Sequence, residues 1–152
     1  MRLKISWKIY KDLKEIVFST QKETGCALFG TKDDGDFQVL HLVGPGKKSK
    51  RLAFHYEADH KYQEDVFNEL LQSNPTLCFM GELHVHPHGM KNLSHGDRIT
   101  IKKVLKTQEE FVGGIILREP RIQESDEQQM EIYPVYFSRE KPEGENCELV
   151  IG

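Results

Sequence analysis

Residues 2–5 alternate polar and apolar as a short strand does, and the period then changes. From Ser6 onward Ile9, Tyr10, Leu13, Ile16 and Val17 recur at three- and four-residue spacing, so a helix capped by Ser6 runs to about Thr20. Trp7 and the apolar residues at helical spacing are assigned to the core. Residues 25–30, with Ala27, Leu28 and Phe29, and the apolar run 37–43 flank Asp33, Asp34 and Gly35, which reads as a β-hairpin. Gly44, Pro45 and Gly46 break the second strand. After a polar, basic loop, Tyr62, Val66, Phe67, Leu70 and Leu71 mark a second amphipathic helix over 58–72, stopped by Asn74 and Pro75.

An apolar strand over 76–83, interrupted by Gly81, leads into 85–93, rich in Pro, Gly and His as surface loops are. Ser94 and Asp97 open a third helix through about Thr107, which offers Ile101, Val104 and Leu105 to the core. Strands over 111–117 and 132–137 are joined by the polar hairpin loop 119–131. Beyond Arg139 the chain is mostly solvated, with an edge strand at 148–151. This order predicts an α/β fold, a mixed sheet flanked by helices, in one domain spanning 1–152.

Composition agrees with that picture. Hydrophobic residues make up 38% and charged residues 30% of 152 residues, enough for one core without staples. Lys and Arg number 21 against 24 Asp and Glu, and the only basic run is 47–51, so nucleic acid is a poor partner. Residues 1–10 lack the unbroken apolar stretch of a signal peptide or membrane span, and a cytosolic location is expected. Cys26, Cys78 and Cys147 have no CxxC spacing, which argues against a disulfide framework and a thiolate zinc site. They are read as reduced, with Cys26 and Cys78 inside apolar strands.

The chemistry concentrates in one stretch. His84 and His86 stand two apart at the end of a strand, where extended backbone points both imidazoles to one side. Asp97, on the first turn of the third helix, can fold back to them across the intervening loop. Two nitrogens and one oxygen make three protein ligands and leave a fourth tetrahedral position for water, the open arrangement of a catalytic zinc site. Glu23, just before an apolar strand, suits a general base. Ser94 can cap the helix, donate to a developing oxyanion, or do both. His88 and His95 lie near the site, where they could supply a further ligand or contact substrate, but loop histidines beside metals are commonly just solvated, and they are left out of the metal set; His41, His55 and His60 have no partner spacing.

The segment His84, Val85, His86, Pro87, six residues, then Ser94, His95, Gly96, Asp97 resembles the HxHP and SxxD signature of the JAMM (MPN/JAB) metallopeptidases. Glu23, Thr24 and Gly25, with Leu28 and Gly30, look like the family's glutamate strand, and the resemblance spans most of the chain. It implies an MPN/JAB fold with a curved mixed sheet in a cytidine-deaminase-like three-layer arrangement. It also implies one zinc ion on His84, His86 and Asp97, water activation by Glu23 and oxyanion support from Ser94. Val85 and Cys26 depart from residues frequent at those positions, and neither ligates metal.

The implied activity is hydrolysis after the carboxyl terminus of ubiquitin or a ubiquitin-like protein, by deconjugation from targets or precursor trimming. The length resembles the stand-alone bacterial members that accompany ubiquitin-like conjugation enzymes in antiphage defence operons. The alternatives are a JAMM peptidase acting on a sulfur-carrier protein or another defence target, and a non-catalytic MPN scaffold. A zinc deaminase or an HExxH protease is disfavoured, because HxE, PCxxC and HExxH are all absent.

Overall fold

The computed structural model describes residues 1–52, 55–87 and 90–152. Strand β1 (Arg2–Ile5) is followed by helix α1 (Trp7–Val17), whose Ser6 cap accepts from the Ile9 amide as its position predicts. The helix stops three residues before the expected end. The amide of Phe18 bonds back to Lys14 O, and regular structure gives way to turns. Strands β2 (Gly25–Asp33) and β3 (Asp36–Val43) form the expected hairpin, with Asp34 at φ 40° and Gly35 at φ 82° supplying its two left-handed turn positions.

The basic stretch that the sequence assigned to a loop holds a small separate hairpin, β4 (Lys50–Leu52) and β5 (His55–Glu57). Three residues per strand are too few for periodicity to register. Then come α2 (His60–Ser73), β6 (Cys78–Val85), α3 (His95–Val104), β7 (Glu110–Arg118), β8 (Met130–Ser138), β9 (Glu145–Asn146) and β10 (Glu148–Ile151). Apart from β4 and β5, the strands make one eight-stranded mixed sheet in the order β10-β1-β3-β2-β6-β7-β8-β9. Pairs β1–β10, β1–β3 and β6–β7 are parallel; the others are antiparallel.

The carboxyl-terminal stretch is more structured than expected. Strands β9 and β10 lie on opposite edges of the sheet, yet only the buried Cys147 separates them. Its amide bonds to Pro134 O at 3.4 Å and the next amide, of Glu148, bonds to Met1 O at 3.0 Å. The chain therefore draws the two edges together and curls the sheet nearly closed.

Alternation along β2 sorts the helices between faces. Cys26 and Leu28 pack with Ile9, Leu13 and Val17 of α1, while Ala27 and Phe29 pack with Val66, Phe67, Leu70 and Leu71 of α2. Helix α3 shares Phe79 with α2 through its cluster of Ile101, Leu105, Phe111 and Phe137, so it lies on the α2 side. Trp7 is a correction: it is 62% exposed on the first turn of α1, where its ring meets only the edge of Tyr10 at 5.8 Å among the described aromatic pairs. Helical spacing selects Ile9, Leu13 and Val17 for the buried stripe, and Trp7 falls outside it.

One irregularity decides where the histidines point. Between Leu28 and Phe29 the β2–β6 register shifts, Leu28 pairing with Gly81 and Phe29 with Phe79, so β6 carries an extra residue there. Gly81 lets the strands close at this point, since a Cβ on it would lie 1.7 Å from Val112 O. Before the bulge, Met80 joins the α1 core; after it, Leu83 and Val85 do. The even-numbered residues Glu82, His84 and His86 are thereby turned toward α3.

Candidate metal centre

The β6 strand ends at Val85, whose amide bonds to Thr24 O at 2.8 Å, and the next amide, of His86, bonds to Ile116 O at 3.1 Å. Both neighbouring strands thus hold the backbone that presents the two imidazoles. Helix α3 brings the carboxylate. Ser94 caps it in a reciprocal box, with Asp97 N donating to Ser94 Oγ at 3.0 Å and Ser94 N donating to Asp97 Oδ2 at 2.8 Å. The capping box that starts the helix therefore also fixes the Asp97 rotamer.

The three side chains converge. His84 Nε2 lies 2.7 Å from His86 Nε2 and 3.4 Å from Asp97 Oδ1, and His86 Nε2 lies 3.1 Å from Asp97 Oδ2. A tetrahedral zinc ion with bonds of about 2.0–2.1 Å sets its donors roughly 3.3 Å apart; each histidine stands near that distance from Asp97, though from different carboxylate oxygens, and the histidine pair sits closer. Among the described residues these three offer ligand atoms all within 4.8 Å of one another. The second ring nitrogen of His86 supports the fit. Its Nδ1 faces Met90 O at 3.2 Å, and since a carbonyl only accepts, the proton belongs on Nδ1 and the Nε2 lone pair is left for an ion.

Electrostatics bind the cluster. Burial acts to lower the His86 pKa, but the hydrogen bond and charge of Asp97 outweigh it and raise the value above the ordinary imidazole range; Glu23 adds in the same direction. Burial acts to raise the Asp97 pKa, yet bonds from His84, His86 and the Ser94 amide hold it well below the usual carboxylate range. The carboxylate is thus ionised, as a ligand must be.

Glu23 is 8% exposed, beside the Gly25 that pairs with His84 across β2 and β6. Glu23, His84, His86, Ser94 and Asp97 all line one open cleft of about 300 Å³, together with Tyr56, Pro87, Met90, Gly96 and Thr100. Every residue singled out by the sequence for this chemistry therefore reaches the same cleft. His95 sits exposed on the first turn of α3 and is not among the lining residues. His88 and the side chain of His55 lie outside the described residues. His41 is half-buried on β3.

Two residues around the site, Tyr56 and Glu82, were not anticipated. Tyr56 stacks its ring on His84, with centroids 6.5 Å apart at 19° between planes, so it walls the imidazole from one side. Glu82 and His60 line a neighbouring pocket that shares Tyr56, His84, Asp97 and Thr100 with the cleft. Burial pushes the Glu82 pKa up. The signal for Glu82 was available, because it precedes His84 by the same two-residue step that links His84 to His86.

A nearly closed mixed sheet with helices on both faces, carrying two imidazoles and a carboxylate in an open cleft, defines an α/β protein with a candidate metal centre. No protein-family model matches the chain. It is 29% identical over 104 residues to a protein named CD-NTase/cGAS isopeptidase from Escherichia coli (strain TW11681). That match takes in 68% of this chain, and it spans 60% of the length of the curated relative. The solution structure of protein DSY2949 from Desulfitobacterium hafniense has the same fold, with a TM-score of 0.68 over 99% of this chain and 92% of that one, at 15% identity.

Proposed function

We propose that the chain is a JAMM-type zinc peptidase of MPN/JAB fold that hydrolyses the bond after the carboxyl terminus of a ubiquitin-like protein, releasing it from a target amine or maturing its precursor. The observation that carries this reading is the convergence of His84 and His86, at the end of β6, with Asp97, on the first turn of α3, beside a buried glutamate. The similarity to a protein named as an isopeptidase supports the reaction class, and a role in a bacterial ubiquitin-like conjugation pathway, with that pathway's enzymes as companions, fits this reading. No helix among the described residues is long and apolar enough to cross a membrane.

Zinc on these ligands would bring the pKa of water to roughly 7 and polarise the scissile carbonyl. The remaining work falls to the chain. Glu23, whose carboxylate borders the same cleft, takes the proton of the attacking water and returns it to the leaving amine nitrogen. Ser94 accepts the Asp97 amide hydrogen with its oxygen, which leaves its own hydroxyl proton to donate to the developing oxyanion. Tyr56 and the capping box keep His84 and Asp97 from swinging when substrate enters.

Metal analysis of the purified protein should give about one zinc per chain, lost in His86→Ala. Incubation with a ubiquitin-like modifier fused through its carboxyl terminus to a reporter should release the reporter, and Glu23→Gln should slow release by ~10²-fold or more while retaining zinc. A zinc-free wild-type protein, or equal cleavage by Glu23→Gln, would refute the mechanism; zinc without cleavage of any such fusion would point to a binding subunit.

A further inference from the structure

The segment between α1 and β2 has no regular structure, yet it must deliver Glu23 to the cleft with its carboxylate correctly placed. A single side chain from across the sheet holds it. Arg118, the last residue of β7, donates from Nε to Val17 O at 3.0 Å, from Nη1 to Gln21 O at 3.3 Å, and from Nη2 to both Thr20 O and Lys22 O at 2.7 Å. Capping α1 would need only the first of these, since Val17 closes the helix. The other three bonds reach into the loop, and the last grips the peptide unit that carries the amide of Glu23.

The same strand also holds the metal ligands. Ile116, two residues before Arg118, accepts the His86 amide at 3.1 Å, and His84 pairs with Ile115 in the β6–β7 register. One end of β7 therefore fixes both the histidines, through its backbone, and the approach to the glutamate, through its guanidinium. Arginine suits this task because its planar fork aims several donors at once, which a lysine ammonium on a flexible stem does not.

We propose that Arg118 is a positioning residue for Glu23, clamping residues 17–22 so that the glutamate is held at the cleft in register with His84 and His86. The inference rests on the reading of Glu23 as general base, and the two can fail separately. It touches neither substrate nor metal, so its removal should disturb proton transfer and spare ligation.

The test places Arg118→Ala in the wild-type and Glu23→Gln backgrounds and follows cleavage of the reporter fusion, zinc content and backbone amide exchange. Displacement of a catalytic group by about 1 Å can cost ~10²-fold, so in the wild-type background kcat should fall ten- to hundredfold. KM should stay within about twofold and zinc should stay at one per chain. In the Glu23→Gln background the same substitution should cost no more than about twofold, because the group it positions is already disabled. Arg118→Lys should fail to restore kcat. Amide exchange, which needs no substrate, should quicken at 18–24 and remain slow at 84–86. An equal loss in both backgrounds, a loss explained by missing zinc, or unchanged exchange at 18–24 would overturn the proposal. A fully active Arg118→Ala beside an inactive Glu23→Gln sinks the clamp alone, whereas a fully active Glu23→Gln sinks the base and the clamp together. Should Arg118→Ala not fold, Arg118→Gln, which keeps one donor arm, replaces it.

Discussion

The two faces of β6 meet opposite surroundings. On one face Leu83 and Val85, each 1% exposed, are locked among Ile9, Leu13, Val17, Val112 and Ile116. On the other, separated by a single residue step, Glu82 lines the neighbouring pocket, and His84 and, just past the strand, His86 line the cleft, held by hydrogen bonds and a carboxylate. The apolar face gains free energy from every contact it makes, whereas the polar face gathers imidazoles and acids whose burial is unfavourable without a partner. One strand thus carries the apolar core on its α1 side and the candidate metal centre on its α3 side.

Removal of a ligand should expose that contrast most strongly. His84→Ala should weaken zinc affinity more than ~10²-fold, beyond what the loss of an outer-shell support costs. The unfolding free energy of the zinc-free protein should change by no more than about 1.5 kcal/mol, because Asp97 keeps its bonds to His86 and the Ser94 amide and no charge is left without a partner. Parallel zinc titration and urea unfolding would check both; a collapse of the zinc-free fold would mean that the polar face is structural after all.

The mirror experiment is Leu83→Ala. It removes a side chain buried against the α1 core and should lower unfolding stability by ~2–5 kcal/mol while zinc still binds the folded fraction with near wild-type affinity. A smaller effect sharpens the comparison. Ser94→Ala deletes a helix cap at a cost of about 1 kcal/mol, read by urea unfolding. If Ser94 also serves the oxyanion, kcat falls by ~10²-fold or more beyond what that destabilisation explains; a kcat within twofold of wild type confines it to capping.

The contrast also sets how much was legible in the sequence. Periodicity is a local signal, so α1, the β2–β3 hairpin and the strand carrying the histidines were visible, as was the pairing of His84, His86 and Asp97 through their spacing. What escaped depends on contacts between distant segments. The bulge opposite Leu28 reverses the alternation of β6 and cannot be read from β6 alone. Strands β4 and β5 are three residues each, and the closing of the sheet by β9 and β10 turns on Cys147 sitting between two edges. Arg118 reads as an ordinary strand-end cation until the fold brings four carbonyls to it. Trp7 failed for the opposite reason, since size and apolarity say nothing about which side of a helix a residue occupies.

The most direct test of the account is a crystal structure of the zinc-loaded protein with diffraction recorded on both sides of the zinc absorption edge. One anomalous peak is expected about 2.0–2.1 Å from His84 Nε2, His86 Nε2 and an Asp97 carboxylate oxygen, with the fourth position open toward Glu23. A peak elsewhere on the chain, or none, would contradict it.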